Sequence, residues 1–142
     1  MKINNNLFSL KNKVILITGA GRGIGQHLAE KIAEQSAIVY AIDKQFTKKM
    51  SKNSMKNLFK IKCDITDQEK FRQICFDIVK KKKKIDVLIN NAGISMASKQ
   101  PGKIYAKDKW DETLRINLTA HFSCSQEVIQ YMKRRKRGSI IN

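Results

Sequence analysis

The sequence contains no apolar run that approaches the roughly 20 residues of a membrane-spanning helix. Its first residues, MKINNNLFSLKNK, carry an early lysine but no long apolar segment and no small-residue cleavage site, so they do not resemble a signal peptide. We therefore expect a cytoplasmic protein with no membrane partner. The chain has 142 residues, of which 42% are hydrophobic, and this composition favours one globular domain with its own core over a disordered chain.

Cysteine is scarce, and its three positions, Cys63, Cys75 and Cys124, match no CxxC or other metal-binding spacing. Each cysteine lies among apolar neighbours in the sequence. We therefore predict buried, reduced thiols and no metal site.

Acidic residues are few, because 12 Asp and Glu stand against 29 Lys and Arg, for a formal net charge of +17 and a pI near 10.0. Such a charge makes nucleic acid a candidate partner. The lysines are nevertheless spread along the whole chain, and the two dense runs, Lys80 to Lys84 and Lys133 to Arg137, each follow a helical pattern. Since cations at a helix C-terminus complement its dipole, we interpret both runs as solvated helix ends and do not expect nucleic acid as the main partner.

Short apolar runs alternate with amphipathic helical patterns from one end of the chain to the other. Buried strands are predicted at Lys13–Gly19, Ala37–Asp43, Leu58–Asp64 and Ile85–Asn90, and a fifth strand begins at Ser139–Asn142. Helices are predicted from a stripe through Ile24, Leu28 and Ile32, from a stripe through Phe71, Ile74, Cys75, Ile78 and Val79, and from a long pattern between Lys107 and Arg137 through Trp110, Leu114, Leu118, Phe122, Val128 and Met132. This alternation predicts an α/β fold in which helices cover both faces of a parallel sheet.

Local signals predict where these helices begin and end. TDQE matches a capping box with Thr66 as N-cap and Glu69 at N3, and Gly138 is a natural stop for the long helix. The stretch from Lys44 to Asn57 is polar and predicts a short irregular helix, and Pro101 predicts a loop before the long helix.

The first strand-to-helix turn is TGAGRGIG, Thr18 to Gly25. Glycines there allow a tight turn, and the helix N-terminus behind them offers N–H groups and a positive dipole end to a pyrophosphate. The turn is not GxGxxG, because Ile24 occupies the place of the last glycine, and no GK[ST] of a P-loop follows. By itself the turn also fits a purely structural role.

Further motifs follow this turn in order. Asp43 ends the second strand, Asp64 lies in KCDIT, NNAG closes the fourth strand at Asn90 to Gly93, WDETLRINL contains Asn117, and GSIIN begins the fifth strand. Together with TGxxxGxG, these motifs resemble the short-chain dehydrogenase/reductase family in order and spacing over nearly the whole chain.

The resemblance implies an incomplete Rossmann-type, doubly wound parallel sheet with strand order 3-2-1-4-5 and a partial NAD(P)-binding domain over residues 1–142. It places Asn117 in the catalytic site, Asp43 at the adenosine ribose and Asp64 near the adenine. The cofactor-binding residues that it implies are Thr18, Gly19, Arg22, Gly23, Ile24, Gly25, Asp43, Asp64, Ile65, Asn91, Ala92 and Gly93.

In this family a tyrosine acts as general acid and base, a lysine lowers its pKa, a serine polarises the carbonyl and an asparagine anchors a water. The serine and a YxxxK motif follow the fifth strand, and of this tetrad the 142 residues match Asn117 alone. The resemblance therefore implies an N-terminal part that is inactive alone, whose partners include its C-terminal segment or a second copy. Tyr105 and Lys109 match YxxxK but precede the Asn117 helix, and we interpret this match as chance.

Charge guides the choice of cofactor. A carboxylate at Asp43 accepts hydrogen bonds from both ribose hydroxyls but repels a 2′-phosphate, which favours NAD. Arg22 and Lys44 favour NADP, so NADP stays possible.

Three functional hypotheses follow. The first is an NAD(P)-dependent oxidoreductase that transfers hydride between the nicotinamide and a small-molecule carbonyl or secondary alcohol. The second is a non-catalytic dinucleotide-binding fragment, and the third is a basic nucleic-acid-binding module. Neither the substrate nor the direction of the reaction is determined by the motifs.

Overall fold

The computed structural model describes residues 8–48, 50, 55–95 and 106–142. Its strands are β1 (Val14–Thr18), β2 (Ile38–Asp43), β3 (Leu58–Lys62), β4 (Val87–Ile89) and β5 (Ser139–Ile141). Its helices are α1 (Gly23–Glu34), α2 (Gln68–Lys82), α3 (Lys107–Leu114) and α4 (His121–Arg135), and a π-helical turn (Arg115–Ala120) joins α3 to α4. All five predicted strands are thus confirmed, with ends that differ by one or two residues. The loop containing Pro101 lies outside the described residues, as does part of the segment between Lys44 and Asn57.

The five strands form one parallel sheet in the order β3-β2-β1-β4-β5, which confirms the predicted topology. Strand β1 is central and fully buried, since it pairs with β2 on one side and with β4 on the other. The chain crosses from one half of the sheet to the other after β3, so the carboxyl ends of β1 and β4 meet where the strand order reverses. A crevice at this point is the usual ligand site of such sheets.

Each face of the sheet carries its own core. On one face the strands pack against α2 and α4, through a cluster that includes Leu16, Phe71 and Val128. On the other face they pack against α1, whose buried apolar side chains are the small Ala29 and Ala33, with Leu28 and Ile32 at the edge of the contact. Burial on both faces explains why the strands are apolar without alternation.

The predicted stripe of α1 is only partly correct. Leu28 and Ile32 pack at the edge of the core, but Ile24 is 76% exposed and lies beside the glycine turn. Small side chains therefore let α1 approach the sheet closely, and Ile24 is left to line the space above the turn.

The N-cap of α2 is Asp67, so the prediction of Thr66 as N-cap was wrong. The Asp67 carboxylate accepts a hydrogen bond from the Lys70 backbone N–H at 3.0 Å, as an N-cap does. The Thr66 hydroxyl instead donates to Asp64 at 2.9 Å, and Glu69 pairs with Arg72. Because Asp64 engages the Thr66 hydroxyl, the neighbouring Asp67 caps the helix instead. At its other end α2 stops in the lysine run, as predicted, with Lys83 left-handed at φ 63°.

The long helical pattern after residue 106 folds as helix, as predicted. In the first half of this helix, the large apolar side chains that marked the pattern are 36% to 63% exposed, namely Trp110, Leu114, Leu118 and Phe122. The side chains that face the sheet recur every four residues, namely Ile116, Ala120, Cys124, Val128 and Met132. The segment thus carries two apolar stripes, and only the one with smaller residues contacts the sheet.

The stop of α4 also differs from the prediction. The left-handed residue is Lys136, at φ 51°, rather than Gly138. Gly138 is required for space, because a Cβ at this position would collide with the Met132 side chain. Strand β5 begins one residue later and forms an edge of the sheet.

No helix among residues 8–48, 50, 55–95 and 106–142 is both long enough and apolar enough to span a bilayer. The three cysteines are free and buried, as predicted. Burial raises the pKa of the Cys124 thiol to about 12 and also raises that of Cys75, so both stay protonated near neutral pH.

Candidate functional site

A cavity of about 800 Å³ lies at the carboxyl edge of the sheet, where β1 and β4 meet. Its size falls in the range typical of cofactor and substrate sites. It is lined by the glycine turn, by the ends of β2 and β4 and by the segment after β3, namely Gly19, Gly21, Arg22, Gly23, Ile24, Gly25, Asp43, Lys44, Gln45, Phe46, Thr47, Cys63, Asp64, Ile65, Asn91, Ala92, Gly93, Ile94 and Ile116.

The glycine turn presents its backbone to the cavity. Gly19 and Gly23 are left-handed at φ 64° and 57°, a conformation that other residues adopt only at a cost. Helix α1 begins at Gly23, and the N-cap Arg22 makes no side-chain cap. The first N–H groups of α1 therefore lack a side-chain acceptor, and an anion at this helix end would be stabilised by them and by the helix dipole.

Asp43 joins the end of β2 to the glycine turn. Its Oδ2 accepts a hydrogen bond from the Gly21 N–H at 2.8 Å, and its Oδ1 accepts one from the Gln45 N–H at 3.1 Å. A Cβ on Gly21 would collide with the Gln45 carbonyl oxygen, so only glycine permits this close approach. Each carboxylate oxygen of Asp43 keeps a second acceptor position.

Asp64 and Lys44 form an ion pair across the far wall of the cavity, with Lys44 Nζ 2.8 Å from Asp64 Oδ2. Asp64 Oδ1 accepts two further hydrogen bonds from Thr66, one from its N–H and one from its hydroxyl. Burial opposes ionisation of Asp64, but the hydrogen bonds from Lys44 and Thr66 outweigh it and hold the pKa of this carboxyl below its ordinary value. Asp64 is therefore an anion whose own partner is already in place.

A buried latch between Thr18 and Asn91 sets the position of β1 against β4. The Thr18 hydroxyl accepts hydrogen bonds from the N–H groups of Asn91 and Ala92, both at 3.1 Å, and donates to the Ile89 carbonyl. The Asn91 side-chain amide donates to the carbonyls of Thr18 and Gly19, both at 3.0 Å. The latch explains why the NNAG segment, although far from the glycine turn in sequence, lies against it in the fold.

Gly25 belongs to the same latch. A Cβ at this position would collide with the Gly19 carbonyl oxygen and with the Asn91 side-chain amide. Gly25, the last glycine of the turn, is therefore needed where α1 meets β1 and β4, rather than for its own backbone angles.

The π-helical turn holds the other wall of the cavity. Asn117 accepts a hydrogen bond from the Ile94 N–H and donates one to the Ile94 carbonyl, both at 2.9 Å. One turn later, a ring nitrogen of His121 lies 2.6 Å from the Ala92 carbonyl oxygen. Two side chains of one helical segment thus hold Ala92 and Ile94, on either side of the last glycine of NNAG, and π-turns are often found at functional sites.

Asn90, the first residue of NNAG, ties three elements together beneath the cavity. Its side-chain amide donates to the Ser125 hydroxyl at 3.0 Å and to the Asn142 side-chain oxygen at 2.8 Å. Its backbone N–H also donates to the Ile141 carbonyl. Asn90 therefore fixes the end of β5 beside the end of β4.

The structure brings most of the predicted site residues together. Eleven of the thirteen line the cavity, and the two that do not are Thr18, which is fully buried in the latch, and Asn117, which lies behind Ile94. Of the unexpected YxxxK match, Tyr105 lies outside the described residues, and Lys109 is exposed and pairs with the neighbouring Asp108.

Other lining residues were missed by the sequence analysis, among them Phe46, Thr47 and Ile94. Thr47 closes the turn through its N–H, which donates to the Gly21 carbonyl, and its hydroxyl donates to Gln26. These residues follow the carboxyl ends of strands, and this position was the only available signal. His121 carried a weaker one, since it lies one helical turn after Asn117.

A sequence profile of the short chain dehydrogenase family matches residues 13–142. The 3-oxoacyl-acyl-carrier-protein reductase of Thermotoga maritima is 32% identical over 139 residues, which cover 94% of this chain and 55% of that protein. The chain therefore belongs to the short chain dehydrogenase family. It spans about half the length of the curated relatives that it matches.

Solved structures agree with this assignment. A short chain dehydrogenase from Leptospira borgpetersenii with bound NAD+ superposes with a TM-score of 0.81 at 27% identity, covering 99% of this chain and 54% of that one. ElxO with NADP bound superposes with a TM-score of 0.79 at 27% identity, covering 91% of this chain and 54% of that one. The chain thus has the Rossmann-type fold of this oxidoreductase family, and each of these two solved structures holds a nicotinamide cofactor.

Proposed function

We propose that the protein is an NAD-dependent oxidoreductase that acts on a small carbonyl or secondary alcohol, and that residues 1–142 form its dinucleotide-binding part. The observation that carries this proposal is the cavity itself. An open helix N-terminus and a strand-end carboxylate lie on the same cavity, as a group with two phosphates and two riboses requires.

The lining residues fit such a group from one end to the other. The backbone of the glycine turn and the start of α1 would hold the pyrophosphate, and Asp43 would accept hydrogen bonds from the adenosine ribose. Asp64 and Ile65 would border the adenine, and the loop from Asn91 to Gly93 would lie under the second ribose. When bound, the nicotinamide would supply the hydride acceptor or donor.

Two observations favour NAD over NADP. The Asp43 carboxylate lies at the glycine turn, where it would repel a 2′-phosphate. Lys44, the nearest candidate to neutralise such a phosphate, is engaged by Asp64. Arg22 is exposed and makes no side-chain cap, and it is the residue that favours NADP.

The proposal assigns Asn117 to the positioning of the substrate-side wall through Ile94, since its amide groups are both engaged there. Residues 1–142 supply no serine, tyrosine and lysine at the family's positions, so we expect binding without turnover from these residues alone. The named relative is a 3-oxoacyl reductase, which supports a ketone as one possible substrate class beside sugars and other secondary alcohols. The three buried, unpaired thiols support a cytoplasmic location.

The test of this function is a pair of measurements on the purified protein. NAD binding is measured by calorimetry, and hydride transfer is followed by the absorbance of NADH with a panel of ketones and secondary alcohols. We expect residues 1–142 to bind NAD and to show no turnover. Steady turnover by these residues alone would contradict the claim that they bind the cofactor without catalysing the reaction. Tyr105 and Lys109 would then become candidates for the catalytic pair.

A further inference from the structure

The two basic runs of the sequence meet at one end of the molecule. Helices α2 and α4 pack side by side on the same face of the sheet, and both run from its carboxyl edge to its amino edge. Their last turns therefore bring Lys80–Lys84 and Lys133–Arg137 to the same edge. Two runs about 50 residues apart in the chain thus become neighbours in the fold.

Asp86 links the two runs directly. Its Oδ2 lies 2.8 Å from Lys84 Nζ, and its Oδ1 lies 3.2 Å from Arg135 Nη1. The same carboxylate accepts the Val14 N–H at the start of β1, which fixes the pair of runs to the sheet. Asp86 is 6% exposed, so one buried anion holds one cation from each run in a defined place.

Most other cations of the runs form no ion pair with any carboxylate in the described part of the chain. Exposed side chains with no ion pair to a described carboxylate are Lys80, Lys81, Lys83, Lys133, Arg134, Lys136 and Arg137. The end of a helix carries about half a negative charge, so one cation at each helix would suffice to complement the dipole. The surplus produces a positive potential on this edge that its own fold does not require.

The chemistry of this surface favours phosphate over other acidic partners. The runs KKKKK and KRRKR contain no apolar residue, and the apolar residues directly beside them either lie in the core, as Ile85 and Met132 do, or pack against it, as Val79 does. Phe76 and Ile129 lie one helical turn before the runs and are half exposed, so apolar side chains border the cations without separating them. The centre of a protein–protein interface is depleted of charged residues, which this surface consists of. A phosphate backbone needs only closely spaced cations, because its affinity comes from the release of counterions.

We infer that this basic edge, formed by Lys80–Lys84 and Lys133–Arg137, is a second binding surface that takes the phosphate backbone of a nucleic acid. It lies at the amino edge of the sheet, whereas the dinucleotide cavity lies at the carboxyl edge. The surface therefore does not depend on the proposed function, and a nucleic acid and NAD bind without competition.

The experiment measures the anisotropy of a short fluorescent DNA duplex, and of an RNA duplex of the same sequence, as the purified protein is added between about 50 and 200 mM salt. Three variants, each losing three charges, are compared with the original protein. The first neutralises three cations at the end of α2, by Lys80→Gln, Lys81→Gln and Lys83→Gln. The second neutralises three cations at the end of α4, by Arg134→Gln, Lys136→Gln and Arg137→Gln. The control removes exposed lysines near the opposite edge, by Lys48→Gln, Lys62→Gln and Lys70→Gln.

Each run variant should make the negative slope of log K against log salt shallower by about 2 to 3, since each lost phosphate contact is worth about 0.9. The control should leave the slope within about one of the original, and saturating NAD should change none of the values. Circular dichroism melts confirm that all variants keep the fold. Equal losses in the control and in the run variants would overturn the inference, because net charge alone would then explain binding. Binding to phosphatidylserine vesicles or to polyglutamate, with no binding to either duplex, would overturn it as well.

Discussion

The side-chain amide of Asn117 and the backbone of Ile94 satisfy each other, because Asn117 accepts from the Ile94 N–H and donates to the Ile94 carbonyl at the same 2.9 Å distance. A single side chain therefore replaces the two partners that a strand neighbour would give to Ile94. The pair joins the π-helical turn to the loop that ends β4, and so fixes one wall of the cavity.

Replacing Asn117 with alanine should loosen this wall without disturbing the glycine turn. We expect a loss of about 1 kcal/mol in the free energy of unfolding, since both hydrogen bonds are exposed to water. NAD and ADP-ribose, which lacks the nicotinamide, should both bind as before, because the residues that would hold the adenosine half and the pyrophosphate lie away from Asn117. Calorimetric titrations of both ligands check this, with Thr119→Ala, an exposed neighbour in the same turn, as the control. An equal loss for both ligands would contradict the assignment of Asn117 to the nicotinamide side.

Gly25 and Gly93 form a matched pair of glycines on the same cavity. Gly25→Ala should reduce the affinity for NAD by about tenfold or more, because the new methyl collides with Gly19 and with the Asn91 amide. Gly93→Ala should be tolerated, since its nearest neighbour, Asn117 Oδ1, lies 3.5 Å from the added carbon. Titration calorimetry with NAD compares the two variants. Similar affinities would show that the latch between β1 and β4 does not shape the binding site.

Asp86 gives the stability of the fold a dependence on pH. Burial opposes its ionisation, but hydrogen bonds from Lys84, Val14 and Arg135 hold its pKa below the ordinary value. Because the folded pKa is lowered, the stabilisation is complete above the unfolded pKa of about 3.9 and is lost as the pH falls through the folded value.

Asp86→Asn should therefore cost about 2 kcal/mol at neutral pH, and the difference from the original protein should shrink below about pH 4. Urea unfolding at several pH values measures it, and Asp77→Asn on the exposed face of α2 is the control. A difference that stays constant down to pH 3 would be inconsistent with an ionised Asp86 as the source of the stabilisation.

Asp43 is the residue that we propose to discriminate between NAD and NADP. Asp43→Ala should weaken NAD and raise the affinity for NADP relative to NAD by about tenfold or more, because the charge that opposes a 2′-phosphate is removed. Since this carboxylate also accepts the Gly21 N–H, Asp43→Asn is the sharper comparison, as it keeps an acceptor and removes the charge. An unchanged ratio in both variants would remove Asp43 from the ribose site.

Sequence motifs were sufficient to predict the strand order of the sheet and most of the residues that line the cavity. The glycine turn, Asp43, Asp64 and NNAG each follow a strand, and parallel strands bring their carboxyl ends to one edge. Motifs that are far apart in the sequence therefore lie close together at this edge of the sheet. The burial of the three cysteines likewise followed from their apolar neighbours.

Side-chain contacts between elements that are distant in sequence could not be predicted from the sequence. Thr18 belongs to the glycine motif, yet its hydroxyl serves Asn91 and Ala92 rather than the cavity. The apolar pattern through Leu118 and Phe122 predicted a helix but not which side of it meets the sheet, because periodicity shows only that two apolar stripes exist. Which stripe meets the sheet depends on the space that the partner residues leave.

Titration calorimetry of the protein with NAD and with ADP-ribose tests the central claim most directly. The residues that would hold the adenosine half and the pyrophosphate are present on one cavity, so the account predicts that residues 1–142 bind one equivalent of either ligand with similar, weak affinity. No binding of either ligand to the folded chain would contradict it, and NAD binding about tenfold tighter than ADP-ribose would show that the nicotinamide half is held by contacts that this account does not contain.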